Sequence, residues 1–207
     1  MKAVVYTQYG PPDVLQFMDV AKPEPKDNQV LMKVHAASIN ALDYRRFEEL
    51  SFMGRLMEER MLKSVGKALG ADIAGVVEAV GANVKQFQPG DEVFGTASGS
   101  RGGFAEYACS VENSLARKPA NLSFEAAAAV PVAAITALQG LRDKRQIQPG
   151  QKVLVQGAGG GVGTFAVQIA KSFGAEVTAV CSSRNLEMAR SIGADDVIDY
   201  AKEDFTQ

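Results

Sequence analysis

The chain has 207 residues, 46% of them hydrophobic and 22% charged, with a formal net charge of −2, the make-up of folded globular material with room for one large or two small domains. That balance excludes disorder and gives no basic field for nucleic acid or anionic lipid, while a single histidine, His35, excludes a histidine-rich metal cage. Cys109 and Cys181 stand far apart and outside any metal-ligand spacing, so neither a disulfide framework nor a zinc finger is expected.

The N-terminus enters a strand pattern at once, Ala3-Val4-Val5-Tyr6, without a signal-peptide core, so the expected compartment is the cytoplasm. Short alternating runs follow at 30–34, 73–80, 92–94 and 104–107. They are bounded by turns at Gly10-Pro11-Pro12, Pro23-Glu24-Pro25 and Pro89-Gly90-Asp91. Such spacing predicts a compact β-rich domain or barrel over the first half. His35 alternates with Lys33 along its run and reads as an ordinary surface residue. Between Asp43 and Lys67 lies a charged segment with Phe47, Leu50, Met53, Met57 and Met61. Methionines four apart share a helical face, which suits either a lid over an apolar substrate or plain packing against the barrel.

Ser123 is placed to cap an Ala-rich helix, and Pro131 to open a second helix carrying Ile135, Leu138 and Leu141. We set the domain boundary before them, giving domains 1–122 and 123–207. The longest weakly polar run, 126–138, is interrupted by Pro131 and Thr136 and falls short of the roughly twenty apolar residues of a membrane span.

The most telling stretch comes next. The apolar run Val153-Leu154-Val155 leads into Gly157-Ala158-Gly159-Gly160-Gly161-Val162-Gly163, and helical periodicity through Val162, Phe165, Ala166, Ile169, Ala170 and Phe173 starts at once. Strand, glycine turn and helix in that order suit a dinucleotide pyrophosphate: glycine lets the backbone approach, and the helix start offers free N–H groups and a positive dipole end. Position 162 is valine where G-x-G-x-x-G needs glycine, but Ala158, Gly160 and Gly163 fit A-x-G-x-x-G. A strand over 176–180, a helix from about Asn185 to Ile192 and a strand at Val197-Ile198 complete β-α-β-α-β, the opening half of a doubly wound α/β sheet. After the second strand, where NAD sites place Asp or Glu, stands Cys181-Ser182-Ser183-Arg184. Two hydroxyls and a guanidinium favour a 2′-phosphate, hence NADPH (NADP) over NAD. The alternative leaves Arg184 as a solvated residue at a helix start.

The chain resembles the zinc-independent, quinone oxidoreductase-like branch of the medium-chain dehydrogenase/reductase (alcohol dehydrogenase) superfamily. The resemblance is carried by Ala36-Ala37-Ser38-Ile39-Asn40, Gly70-Ala71-Asp72-Ile73-Ala74-Gly75, Pro89-Gly90-Asp91-Glu92-Val93-Phe94-Gly95, 127–141 and 157–171. It implies a GroES-like β-barrel catalytic domain with a Rossmann domain, NADPH and substrate meeting in a cleft, and hydride reduction of a quinone or α,β-unsaturated carbonyl. Zinc members carry a Cys after the Ala-Ala-Ser-like strand and a His-Glu pair where this chain has Ala71-Asp72. No metal site is therefore expected. Without a metal, a substrate carbonyl needs hydrogen-bond donors, for which Asn40 and Tyr44 are the catalytic candidates, with a turn-forming role for Asn40 as the alternative. The resemblance makes Asp43 structural. It assigns cofactor contacts to Thr136 and Tyr200, which join the cofactor-binding candidates of the two turns, Ala158, Gly160, Gly161, Val162, Gly163, Ser182, Ser183 and Arg184.

Family chains continue beyond position 207, which leads us to expect an open sheet edge, weak cofactor binding and little turnover by this chain alone, with homo-oligomer formation through that edge open. A non-catalytic NADPH-binding or interaction protein is the competing reading, and a zinc alcohol dehydrogenase a poorer one.

Overall fold

The computed structural model describes residues 1–8, 10–48, 67–100, 102–143 and 146–205. Most of the Met-bearing segment lies outside them, so the lid hypothesis is neither met nor refused. The chain divides into two compact units, Met1–Val132 and Ala133–Gln207.

The first unit is built from strands. β1 (Lys2–Tyr6), β2 (Leu15–Asp19) and β4 (Lys67–Ala68) form an antiparallel sheet ordered β2-β1-β4. A second antiparallel sheet of five strands runs β7-β3-β5-β6-β8, with β3 at Gln29–Ser38, β5 at Asp72–Val80, β6 at Glu92–Thr96, β7 at Tyr107–Val111 and β8 at Leu115–Arg117. β3 is long enough to pair with both β5 and β7, and register shifts at Leu31/Met32 and Val34/Ala36 bend it, the usual device for curling a sheet toward a barrel. Val30, Met32, Ile73, Val77, Phe87, Val93, Ala97 and Ala108 fill the core. The β-rich front half is as its punctuation predicts.

Helix α1 (Ala41–Glu48) follows β3, and α2 (Phe124–Ala128) follows β8. Ser123 caps α2 by accepting the Ala126 N–H at 3.2 Å. Ala127 and Ala128 are buried against Ala74 of β5, which ties this helix to the first unit and puts the division later than the boundary drawn from the sequence. Helix α3 (Pro131–Leu138) opens on its proline, whose missing N–H costs nothing in a first turn.

In the second unit β9 (Lys152–Gln156), α4 (Gly161–Ser172), β10 (Glu176–Cys181), α5 (Leu186–Ser191) and β11 (Asp196–Asp199) alternate, and the strands pair in parallel in the order β11-β10-β9. β10, the middle strand, is buried at Val177, Ala179, Val180 and Cys181, and Val155, Val167, Ala170 and Ala189 join it in the core. β9 pairs only with β10 among the described residues, and Leu154 on it is 52% exposed. No helix of the described residues is long and apolar enough to cross a membrane.

Candidate functional site

The glycine turn is fastened to the strand beside it. Gly157, at φ +75°, and Ala158 both donate their N–H groups to the Val180 carbonyl at 3.0 Å, and Gly160 N–H returns to the Gly157 carbonyl at 2.9 Å. Ala158 is fully buried, so it packs beneath the turn and presents nothing outward. The position of Gly163 tolerates no side chain: a Cβ there would lie 2.2 Å from the Gly157 carbonyl oxygen and 2.7 Å from Ala158 Cα. Helix α4 thus starts hard against the strand end. Gly160 is its N-cap and offers no side chain. The N–H groups of Gly159, Gly161, Val162 and Gly163 meet no acceptor among the described residues. Several unpaired donors, a helix N-terminus and absent side chains form a cradle that fits a pyrophosphate. Gly160, Gly161, Val162 and Gly163 come together there, and Ala158 lies buried beneath them.

Beyond β10, Ser182 accepts a long hydrogen bond from Asn185 Nδ2 at 3.3 Å. Asn185 also fills the space over Gly159, where a Cβ would come within 2.1 Å of its Nδ2. This residue joins the two parts of the nucleotide cradle and was not singled out from sequence. Arg184 is exposed and has no ion-pair partner among the described residues. A carboxylate from another strand reaches this turn. Asp199, the register partner of Cys181 across β10 and β11, accepts the Ser183 hydroxyl and also the Ala201 N–H at 3.1 Å. These bonds and the Lys202 ammonium at 3.6 Å hold its carboxyl below the ordinary range, the Ser183 bond being the largest cause. Tyr200 is 57% exposed and donates its N–H to the Cys181 carbonyl at 3.3 Å. Thr136 lies exposed on α3.

The first unit holds a second constellation. Asp72, fully buried at the start of β5, accepts from Asn40 Nδ2 at 3.0 Å, from Ser38 Oγ at 3.2 Å and from the Val132 N–H at 3.1 Å. Burial nevertheless raises its carboxyl above the ordinary value, and the nearby Asp43 adds to the rise. Asp43, 2% exposed, accepts the N–H groups of Asn40 at 2.8 Å and Ala71 at 3.1 Å, the structural part expected of it. Asn40 Nδ2 also donates to Ser38 Oγ at 3.2 Å. Ser38 Oγ and Asp72 Oδ2 lie on the same side of Nδ2, so one amide hydrogen can serve both, and the other hydrogen and Oδ1 are left for a ligand. Tyr44, on α1, is 44% exposed. His35 is exposed and stacks on Phe124 with ring centroids 4.5 Å apart.

The Asp72 oxygens are taken up by Asn40, Ser38 and Val132, and no group of three His, Cys, Asp or Glu among the described residues could hold a metal ion.

Two family models match the chain: the alcohol dehydrogenase GroES-like domain over residues 26–120 and zinc-binding dehydrogenase over residues 161–207. The 2-methylene-furan-3-one reductase of Solanum lycopersicum is 43% identical, across 99% of this chain and 53% of that protein. An NADPH-dependent alkenal/one oxidoreductase, chloroplastic, of Arabidopsis thaliana is 40% identical, across 98% of this chain and 53% of its own length. The solved quinone oxidoreductase of Coxiella burnetii superimposes with a TM-score of 0.87 at 37% identity, covering all of this chain and 64% of that one. The chain spans about half the length of the curated relatives it matches. In its GroES-like strands, its parallel nucleotide-type sheet and these likenesses together, the chain is similar to the quinone and enone oxidoreductases of the medium-chain dehydrogenase/reductase superfamily.

Proposed function

We infer that the chain serves an NADPH-dependent reductase that reduces quinones or α,β-unsaturated carbonyls without zinc. The observation that carries this reading is the cradle of N–H groups at Gly159, Gly161, Val162 and Gly163 beside a turn bearing the Arg184 guanidinium, all without a partner among the described residues. Those N–H groups bind the pyrophosphate. Arg184 and the Ser182 hydroxyl hold the 2′-phosphate through charge-assisted bonds, and Tyr200 and Thr136 border the cofactor. Bound NADPH supplies the hydride. Asn40, held by Asp72 and Ser38, is one candidate donor to the substrate carbonyl. Tyr44 carries the exposed hydroxyl that can donate to a carbonyl oxygen as charge builds there. The printed names of the relatives, a furanone reductase and an NADPH-dependent alkenal/one oxidoreductase, support the same substrate class.

The test is a fluorescence titration with NADPH and NADH, followed by NADPH oxidation with a quinone and an enone. Gly163→Val should abolish binding of both cofactors by forcing α4 off the turn, and Arg184→Ala should weaken NADPH about tenfold while sparing NADH. Equal affinities of wild type and Gly163→Val would refute the cradle.

A further inference from the structure

The turn after β10 owes its one buried carboxylate to a different strand. Asp199 is 3% exposed and accepts the Ser183 hydroxyl, while its other oxygen takes the Ala201 N–H at 3.1 Å. A hydroxyl has one hydrogen and two lone pairs. Ser183 gives its hydrogen to Asp199, so toward a ligand it can only accept. A ribose 2′-hydroxyl can donate to that oxygen. A 2′-phosphate at neutral pH offers mostly acceptor oxygens, and it would also meet the charge of Asp199 behind the serine. In dinucleotide folds an acidic residue at the end of the second strand takes the ribose hydroxyl directly. Here a serine stands at that place, and the acid acts through it. Ser182 and Arg184, flanking Ser183, keep a hydroxyl hydrogen and a guanidinium free for phosphate.

Building on the nucleotide-site reading above, we propose that the Ser183–Asp199 pair determines cofactor choice: it makes the turn a receptor for the unphosphorylated adenosine ribose that competes with the 2′-phosphate preference of Arg184. Asp199 is a positioning residue and Ser183 the atom that touches the ribose. The chain therefore accepts NADH as well as NADPH, and the ratio is set by the pair as much as by the arginine.

Adenosine 2′,5′-bisphosphate and AMP differ only in the 2′-phosphate and engage only the adenosine half of the cradle. Calorimetric titration of the whole chain with each gives a ratio that a general loss of folding does not move. Ser183→Ala should weaken AMP about three- to tenfold and leave the bisphosphate as tight or tighter. Asp199→Asn keeps an acceptor for the serine hydrogen but removes the charge. It should tighten the bisphosphate about threefold and change AMP by less than about twofold. Arg184→Ala should weaken the bisphosphate alone. Ser183 is exposed, so its substitution leaves the core intact, and a circular dichroism spectrum checks Asp199→Asn. Parallel shifts of both ligands in Ser183→Ala and Asp199→Asn would reduce the pair to a structural clasp and overturn the proposal alone. Failure of wild type to bind either ligand would overturn the nucleotide-site reading and the proposal with it.

Discussion

Asp72 in the first unit and Asp199 in the second are both buried, and both accept backbone and side-chain hydrogen bonds, yet their acidities move in opposite directions. Asp72 is raised, because burial outweighs the bonds from Val132, Asn40 and Ser38 and because the like charge of Asp43 stands beside it. Asp199 is lowered by Ser183, Ala201 and Lys202. At Asp72 burial outweighs the donors, whereas at Asp199 the Ser183 hydroxyl outweighs burial, with Ala201 and Lys202 adding to it. Asp72 is thereby a scaffold joint tying β5, the end of β3 and the Val132 amide together. Asp199 is a charged prop behind a surface serine.

The contrast is broken most directly at Asp72. Asp72→Ala leaves the Val132 N–H, Asn40 and Ser38 without their shared acceptor and should cost about 3 kcal/mol in urea unfolding. Asp72→Asn, which retains one acceptor, should recover a good part of that. A loss no greater than that of a surface substitution would remove Asp72 from the scaffold. Asp199→Ala should behave in the opposite manner, moving the ratio of bisphosphate to AMP affinity severalfold while shifting the unfolding midpoint less than Asp72→Ala does.

The pH dependence sharpens the comparison further. A carboxyl whose folded value is raised binds more protons folded than unfolded, so its contribution to stability falls as pH rises from the ordinary 3.8 through the raised value. The difference in stability between wild type and Asp72→Asn should therefore shrink with rising pH in that window. Asp199, with its lowered value, contributes stability above 3.8 that is lost as pH falls through the folded value. Urea midpoints across the acid range check both slopes. Smaller effects follow at the partners. Ser38→Ala should cost about 1 kcal/mol. Lys202→Ala should leave both stability and nucleotide ratio nearly unchanged, since its ammonium is 71% exposed and stands 3.6 Å from the carboxylate.

Features written in contiguous residues were legible from the sequence: the Ser123 cap, the helix opening at Pro131, the glycine turn and the alternation of strand and helix from β9 to β11. Each depends on local periodicity, capping or turn chemistry. What escaped was the pairing of distant side chains. Asn40 meets Asp72 across 32 positions and Ser183 meets Asp199 across 16, and both meetings are fixed by strand register. A one-residue slip in β11 would turn Asp199 to the other face and remove it from the serine. The engaged amide of Asn40 was invisible for the same reason, because its acceptor sits on another strand. Asp199 left one usable sign, an acid at the end of a short apolar strand, where parallel sheets gather their ligand groups.

The Val180 carbonyl, which receives the N–H groups of both Gly157 and Ala158, has a mechanical consequence. It rivets the phosphate cradle to β10, the same strand whose end carries Ser182 and Ser183, and Asn185 bolts the two together from outside. The spacing between pyrophosphate seat and ribose seat is thus a fixed gauge. A dinucleotide must match that length as delivered, and analogues with one atom more or less between phosphate and ribose should be turned away however well either end fits alone.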